Sequence, residues 1–215
     1  MKKALILING NLSTVPNLKT LLKTNDLLIC ADGGAEYAYQ QELIPNVIIG
    51  DLDSINNNIK LFYKKKKVLW LQFPQEKDLT DTELAIQYAL QEKVDEIILC
   101  GLLGDRVDHI LATIFNLSKI AQKVPCIIME GNSNLHFVSS SISIQGSKGD
   151  EISLIPLNED CIGVATQGLY YPLKQETLPY GSTRGISNVF IKKNCTITVQ
   201  KGILLIIHKK TLING

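Results

Sequence analysis

The chain has 215 residues, 45% hydrophobic and 20% charged, which allows one large domain or two small ones with a real core and excludes a disordered chain. A formal net charge of +1 gives no electrostatic case for nucleic acid as the main partner. No apolar run has the length of a membrane span, and the run after Met1-Lys2-Lys3 breaks at Asn9-Gly10-Asn11, short of a signal-peptide core and with no small-residue cleavage site following.

The first part of the chain alternates short apolar runs with helical patterns. The runs cover residues 4–8, 27–31, 47–49, 68–73, 96–100 and 126–129. The spacing predicts a helix over 81–92, where Leu84, Ala85, Tyr88 and Ala89 share one face and Thr80 and Glu83 have capping-box spacing. Ile110, Leu111, Ile114, Phe115 and Leu117 mark another. Such alternation implies a parallel sheet with helices on both faces and every strand's carboxyl end along one edge. Lys64-Lys65-Lys66-Lys67 reads as a solvated helix end.

After about residue 132 the pattern changes. Strand-like runs at 135–138, 151–157, 188–191, 196–199 and 203–208 are separated by turn residues, and no amphipathic helix is left. The fold class expected is α/β then all-β: a parallel-sheet α/β domain over residues 1–132, then a β-sandwich over 133–215. Gly131-Asn132-Ser133-Asn134 reads as the linker. The second unit is small for an independent core, so it is expected to lean on the first domain or on another subunit. The five cysteines are odd in number, widely spaced and without Cys-x-x-Cys. They read as reduced thiols, mostly small core residues, in a cytoplasmic protein.

Four polar clusters fall just after predicted strands. Val47-Ile48-Ile49 runs into Gly50-Asp51-Leu52-Asp53-Ser54. Two carboxylates this close repel unless a cation lies between them, and Mg²⁺ takes one or two carboxylates with phosphate oxygens and water. The plainer alternative is an acidic turn in which Asp53 or Ser54 caps the next helix. Asp32-Gly33-Gly34-Ala35 is either a close backbone approach to an anion or an ordinary strand–helix turn. In Lys77-Asp78-Leu79-Thr80-Asp81, the acids can join a metal site and Lys77 can meet a phosphate, or the acids simply favour a helix start. In Gly101-Leu102-Leu103-Gly104-Asp105-Arg106-Val107-Asp108-His109, Arg106 is a fork-shaped phosphate donor. Asp108 can cap the helix, accept a proton or hold Arg106, and His109 reads as a positioned rather than metal-bound histidine. Carboxylates with Arg and Lys along one edge suit a polyphosphate with Mg²⁺. Neither a P-loop signature nor a Gly-x-Gly-x-x-Gly after the first strand is present.

These clusters, with Gly185-Ile186-Ser187-Asn188, occur in an order that resembles the thiamine pyrophosphokinase family over nearly the whole chain. The resemblance implies a transferase that moves the pyrophosphoryl group of ATP to the hydroxyl of thiamine, giving thiamine diphosphate and AMP. It implies Mg²⁺ and the triphosphate held by Asp51, Asp53, Asp78 and Asp81, with Arg106 and Asp108 close to the phosphates. It implies ATP contacts from Asp32, Gly33, Gly34, Lys77, Thr80, Arg106 and His109. It implies thiamine contacts from Ser187 and Asn188 of the other subunit of a homodimer, and an aromatic wall at Gly168-Leu169-Tyr170-Tyr171, with Tyr171 the favoured ring. One departure is Asp105, where related sequences often carry Gly. Two rivals remain: a phosphatase using the first Asp of Asp-x-Asp as nucleophile, although that motif usually sits on a first strand, and a sensing module that binds both ligands without turnover.

Overall fold

The computed structural model describes residues 1–11 and 17–211. The chain divides into two compact units, residues 1–116 with 124–131, and residues 117–123 with 132–215.

The first unit alternates strands and helices in the order β1 (Lys3–Leu7), β2 (Leu27–Ala31), α1 (Gly34–Gln40), β3 (Val47–Gly50), α2 (Asn57–Lys65), β4 (Leu69–Gln72), α3 (Asp81–Gln91), β5 (Glu96–Cys100), α4 (Val107–Ile120) and β6 (Cys126–Glu130). The strand order is β6-β5-β1-β2-β3-β4, and every pairing is parallel. Strands covered on both faces read as continuous apolar runs rather than alternating ones, as Leu5, Ile6, Leu7, Ile29, Cys30, Ile48 and Ile49 do. Burying each such side chain contributes roughly 1.5–3 kcal/mol. β4 is the edge strand, with Leu69 exposed.

The helix starts follow local chemistry. Thr80 caps α3, its Oγ1 accepting from Glu83 N–H at 3.2 Å. α2 is capped by Asn56, whose Oδ1 accepts from Asn58 N–H at 2.9 Å. The alternative of Asp53 or Ser54 as that cap is therefore overturned. The lysine run closes α2 and lies exposed.

β1 pairs with β2 on one side and β5 on the other. The chain runs outward from β1 to β4 and then returns to β5. A crevice at the carboxyl ends of β1 and β5 is the position where open α/β sheets take ligands.

The second unit adds β7 (Ser133–Val138), β8 (Ser141–Gln145), β9 (Glu151–Pro156), β10 (Cys161–Gln167), β11 (Glu176–Leu178), β12 (Asn188–Val189), β13 (Asn194–Thr198) and β14 (Leu204–Lys209). Within it, one antiparallel layer runs β12-β9-β14-β7 and the other β11-β10-β13-β8. Ile152, Leu154 and Ile206 of one layer share a core with Val164, Cys195 and Ile197 of the other, which makes a sandwich. Two details differ from expectation. Ser133 and Asn134 already pair with Lys209 and His208, so the linker shrinks to the turn Gly131-Asn132. Strands β8, β10 and β11 have no counterpart among the apolar runs.

All five cysteines are buried free thiols. No helix among the described residues is long and apolar enough to cross a membrane.

Candidate active site

Gly50 ends β3 at φ +149°, and a Cβ there would lie 3.3 Å from Asp32 Cβ and from Asp81 Cγ. The missing side chain is what lets the ends of β2 and α3 close on this point. Beyond it the backbone turns through Leu52, whose φ of +68° is rare for a bulky residue. Asp51 Oδ1 accepts from Asp53 N–H at 3.2 Å across that turn. Asp32 also sits in the left-handed region, at φ +47°, with its N–H donating to Ile49 O at 2.9 Å.

This turn chemistry brings the carboxylates of Asp32, Asp51 and Asp53 together, with one oxygen of each within 4.8 Å of the others. Asp32 Oδ2 accepts from the Ser54 hydroxyl at 2.7 Å, while its buried Oδ1 has no hydrogen-bond partner. Burial, then the charges of Asp51, Asp81 and Asp53, push Asp32 above the usual carboxylate range against the pull of Ser54. Asp53 is raised as well, first by its own hydrogen bond with Asp51 and then also by the Asp51 charge. An orphaned carboxylate oxygen among three hard oxygen donors fits Mg²⁺ or a similar cation.

The cluster opens on a cavity of 510 Å³ at the carboxyl ends of β1, β2, β3 and β5. Of the residues expected at the site, Asp32, Asp51, Lys77, Thr80, Asp81, Arg106 and His109 line it, together with Asp105. Lys77 Nζ is 3.1 Å from Asp81 Oδ1 and donates to Pro74 O at 3.0 Å. Arg106 forms a two-pronged pair with Asp108. That contact comes first among the causes that hold Asp108 down at about 2. Both cations are thus already partnered, and the cavity wall carries a surplus of carboxylates.

Asp53, Asp78 and Asp108 do not line the cavity, and Asp78 is exposed. Gly33 and Gly34 do not line it either. A Cβ on Gly33 would meet the Asn9 side chain at 2.3 Å, and one on Gly34 would meet Leu7 O at 2.2 Å. The approach that this glycine pair permits is to the end of β1.

Three contributors carry no motif. Asn9 and Gln75 line the cavity, and Gln75 Nε2 reaches Asp53 Oδ2 at 3.4 Å. Glu130 is buried at the end of β6, and its Oε2 accepts from Leu102 N–H at 2.8 Å. Burial raises Glu130, and N–H groups of Leu102, Leu103 and Gly101 oppose the rise. The signal available for all three was position alone: each lies at or just past a predicted strand's carboxyl end.

In the second unit, Tyr171 and Asn188 line a 300 Å³ pocket with Leu154, Leu173, Glu176 and Arg184. Tyr171 is 64% exposed, so it is no core aromatic, and Tyr170 packs edge-on against it at 4.8 Å. Asn188 pairs with the Tyr171 backbone in both directions, accepting from its N–H at 3.0 Å and donating to its carbonyl at 2.7 Å. Ser187 stands at φ +58°, exposed and outside the pocket lining, its N–H donating to Ser153 Oγ at 3.0 Å.

A family profile described as thiamin pyrophosphokinase, catalytic domain, matches residues 18–129, and one described as thiamin pyrophosphokinase, vitamin B1 binding domain, matches residues 139–204. Thiamine pyrophosphokinase of Bacillus subtilis is 30% identical over 97% of this chain and 99% of its own length. Thiamine pyrophosphokinase 2 of rice is 26% identical over 98% and 88%. The solved structure of the Bacillus subtilis enzyme superposes with a TM-score of 0.89 at 28% identity, over 99% of this chain and 100% of that one. The thiamin pyrophosphokinase structure from Candida albicans does so at 0.81 and 18%, covering 97% and 90%, and shares the fold.

Proposed function

The chain belongs to the thiamine pyrophosphokinase family, and from that premise we propose how it works as an enzyme: pyrophosphoryl transfer from ATP to the hydroxyl of thiamine, giving thiamine diphosphate and AMP. The observation that carries this reading is the convergence of Asp32, Asp51 and Asp53 at the mouth of a cavity that also presents Lys77 and Arg106. A polyanionic nucleotide does not enter a carboxylate-rich crevice unaided. The donor set therefore supports a divalent cation held by Asp32, Asp51 and Asp53, with Asp81 beside them. A bound Mg²⁺ supplies charge neutralisation of the phosphate oxygens.

The chain's own residues do the rest. Arg106, oriented by its two bonds to Asp108, offers its remaining N–H groups to phosphate oxygens, and Lys77 adds a point charge beside Asp81. The thiamine hydroxyl oxygen attacks the β-phosphorus in line. The bond from that phosphorus to the α–β bridging oxygen breaks, and AMP leaves. Among the carboxylates that could take the hydroxyl proton, Asp108 is engaged by Arg106, and neither it nor Asp78 lines the cavity. Asp81 lines it. Tyr171 offers an exposed face for the cationic thiazolium, worth roughly 0.5–2 kcal/mol. Asn188 holds that ring's backbone.

The nucleotide cavity and the Tyr171 pocket belong to different units of the chain. We read the assembly as a homodimer in which thiamine sits between the first unit of one copy and the second unit of the other. Exposed Tyr170, Tyr171, Tyr180, Ile186 and Ile191 support that reading. Five buried free thiols support a cytoplasmic setting.

The test is product analysis. Purified protein with ATP and Mg²⁺, with and without thiamine, should give AMP and thiamine diphosphate in equal amounts only when thiamine is present. ADP instead of AMP would mean single-phosphoryl transfer and a wrong mechanism.

A further inference from the structure

Glu130 is a buried carboxylate, 5% exposed, that does not line the nucleotide cavity. It ends β6, beside the end of β5, in the register that sets Cys100 opposite Met129. The segment leaving β5 is the one that carries Arg106. Here the Leu102 N–H turns inward to Glu130 and donates to Oε2 at 2.8 Å, and the N–H groups of Gly101 and Leu103 lie close enough to favour the charged carboxylate. The opposite side of the same segment is fixed by the tail of β1. Asn11 N–H donates to Leu103 O at 2.5 Å, and a Cβ on Gly10 would lie 2.0 Å from Gly101 O. The segment is therefore clamped from both sides, and its last clamped residue, Leu103, stands three positions before Arg106.

A carboxylate has enough lone pairs to take several N–H groups at once, and no apolar residue can replace it without stranding buried donors. Such donors would otherwise be free to take an anion, as backbone nests do. With Glu130 in place the Leu102 N–H is spent on the protein.

We propose that Glu130 is a positioning residue for the nucleotide, acting through the Gly101–Leu103 backbone to present Arg106 to the phosphates. It rests on the reading of the cavity as the ATP site.

The experiment compares Glu130→Gln, Glu130→Asp and Glu130→Ala in the full chain, alone and combined with Arg106→Ala. KM for ATP, KM for thiamine and kcat are measured beside the thermal midpoint. Glu130→Asp and Glu130→Ala should raise KM for ATP about tenfold, as expected for stranded donors beside a binding site, with KM for thiamine nearly unchanged. Glu130→Gln, which keeps an acceptor oxygen, should stay within about threefold of the parent. In the Arg106→Ala background the Glu130→Asp effect on KM for ATP should vanish, because coupled residues are not additive. A purely structural role would lower the thermal midpoint and leave the ATP and thiamine constants moving together or not at all, and that result overturns the proposal. So does full additivity with Arg106→Ala, or Glu130→Gln as damaging as Glu130→Asp. If Glu130→Ala does not fold, the Gln and Asp variants decide. Failure of the parent chain itself to use ATP is a different result and strikes the functional reading, not this one.

Discussion

Arg106 and Asp108 face each other through two parallel hydrogen bonds, Nε to Oδ1 at 3.0 Å and Nη2 to Oδ2 at 2.7 Å. The pair is exposed, so its value lies in orientation rather than stability. Asp108 is depressed to about 2, with the Arg106 contact as the first cause. A carboxylate with a lowered folded value is fully ionised above the unfolded value of about 4 and loses its pairing only as pH falls through about 2. Its charge is therefore constant across neutral pH. Asp108→Asn should raise KM for ATP several-fold and leave the inflections of the kcat–pH profile between pH 5 and 9 where they were. Loss of an acidic inflection in that variant would make Asp108 the general base.

Asp32, Asp51 and Asp53 crowd three carboxylates around one point. Without a cation they repel, so the site costs stability that binding restores. Asp53→Asn should raise the thermal midpoint in chelator, abolish the Mg²⁺-dependent rise seen in the parent chain, and lower kcat by about 100-fold or more, since metal assistance is worth several kcal/mol. A variant that keeps both the Mg²⁺-dependent rise and near-normal turnover would remove Asp53 from the metal site.

Tyr171 and Asn188 have separable roles. The Tyr171 ring is mostly in solvent, so Tyr171→Ala should change stability by no more than about 0.5 kcal/mol. Its cost should appear as a rise of roughly 2- to 30-fold in KM for thiamine, from loss of a ring face against a cation. Asn188 is 8% exposed, and its amide also accepts from Val189 N–H at 2.9 Å. Asn188→Ala should destabilise by about 1–3 kcal/mol and raise KM for thiamine together with it. Chemical denaturation and steady-state kinetics on both variants check the split. Equal loss of stability in the two would show Tyr171 to be structural.

The legibility of this chain follows the physics of each element. Strands buried on both faces announce themselves as apolar runs, which is why β1, β2, β3 and β5 could be read from residues alone. β8 has the sequence Ser-Ile-Ser-Ile-Gln, alternating over five residues with one fully buried side chain, and no run reveals it. β10 is interrupted by Gly163 at φ +67°, where its register to β11 shifts, so its pattern is broken by a bulge. At the site, Asp51 and Asp53 stood out because only one residue separates them in sequence. The approach of Asp32 depends on Gly50 and on a left-handed backbone that residue identity does not encode. Glu130 was invisible because the group it accepts from, the Leu102 N–H, lies 28 positions away in the chain.

The sandwich contains its own buried ionisable pair. His208 Nε2 lies 2.9 Å from Asp150 Oδ2, and the Phe190 ring stacks on the imidazole with centroids 4.9 Å apart. Burial alone would raise Asp150. The N–H groups of Thr211 and Ser147, each at 2.9 Å, and the His208 ring outweigh it and hold Asp150 below the usual carboxylate range. A depressed folded value gives stability that is present above the unfolded value, about 3.9, and lost as pH falls through the folded one. Asp150→Asn places an amide NH₂ against backbone donors and should cost about 1–3 kcal/mol at pH 7. The deficit should shrink below about pH 4, because the parent's carboxyl then begins to protonate while the amide does not change. Urea unfolding of both chains at pH 7 and pH 3 measures this, and an unchanged deficit would mean that the carboxylate charge is not what Asp150 contributes.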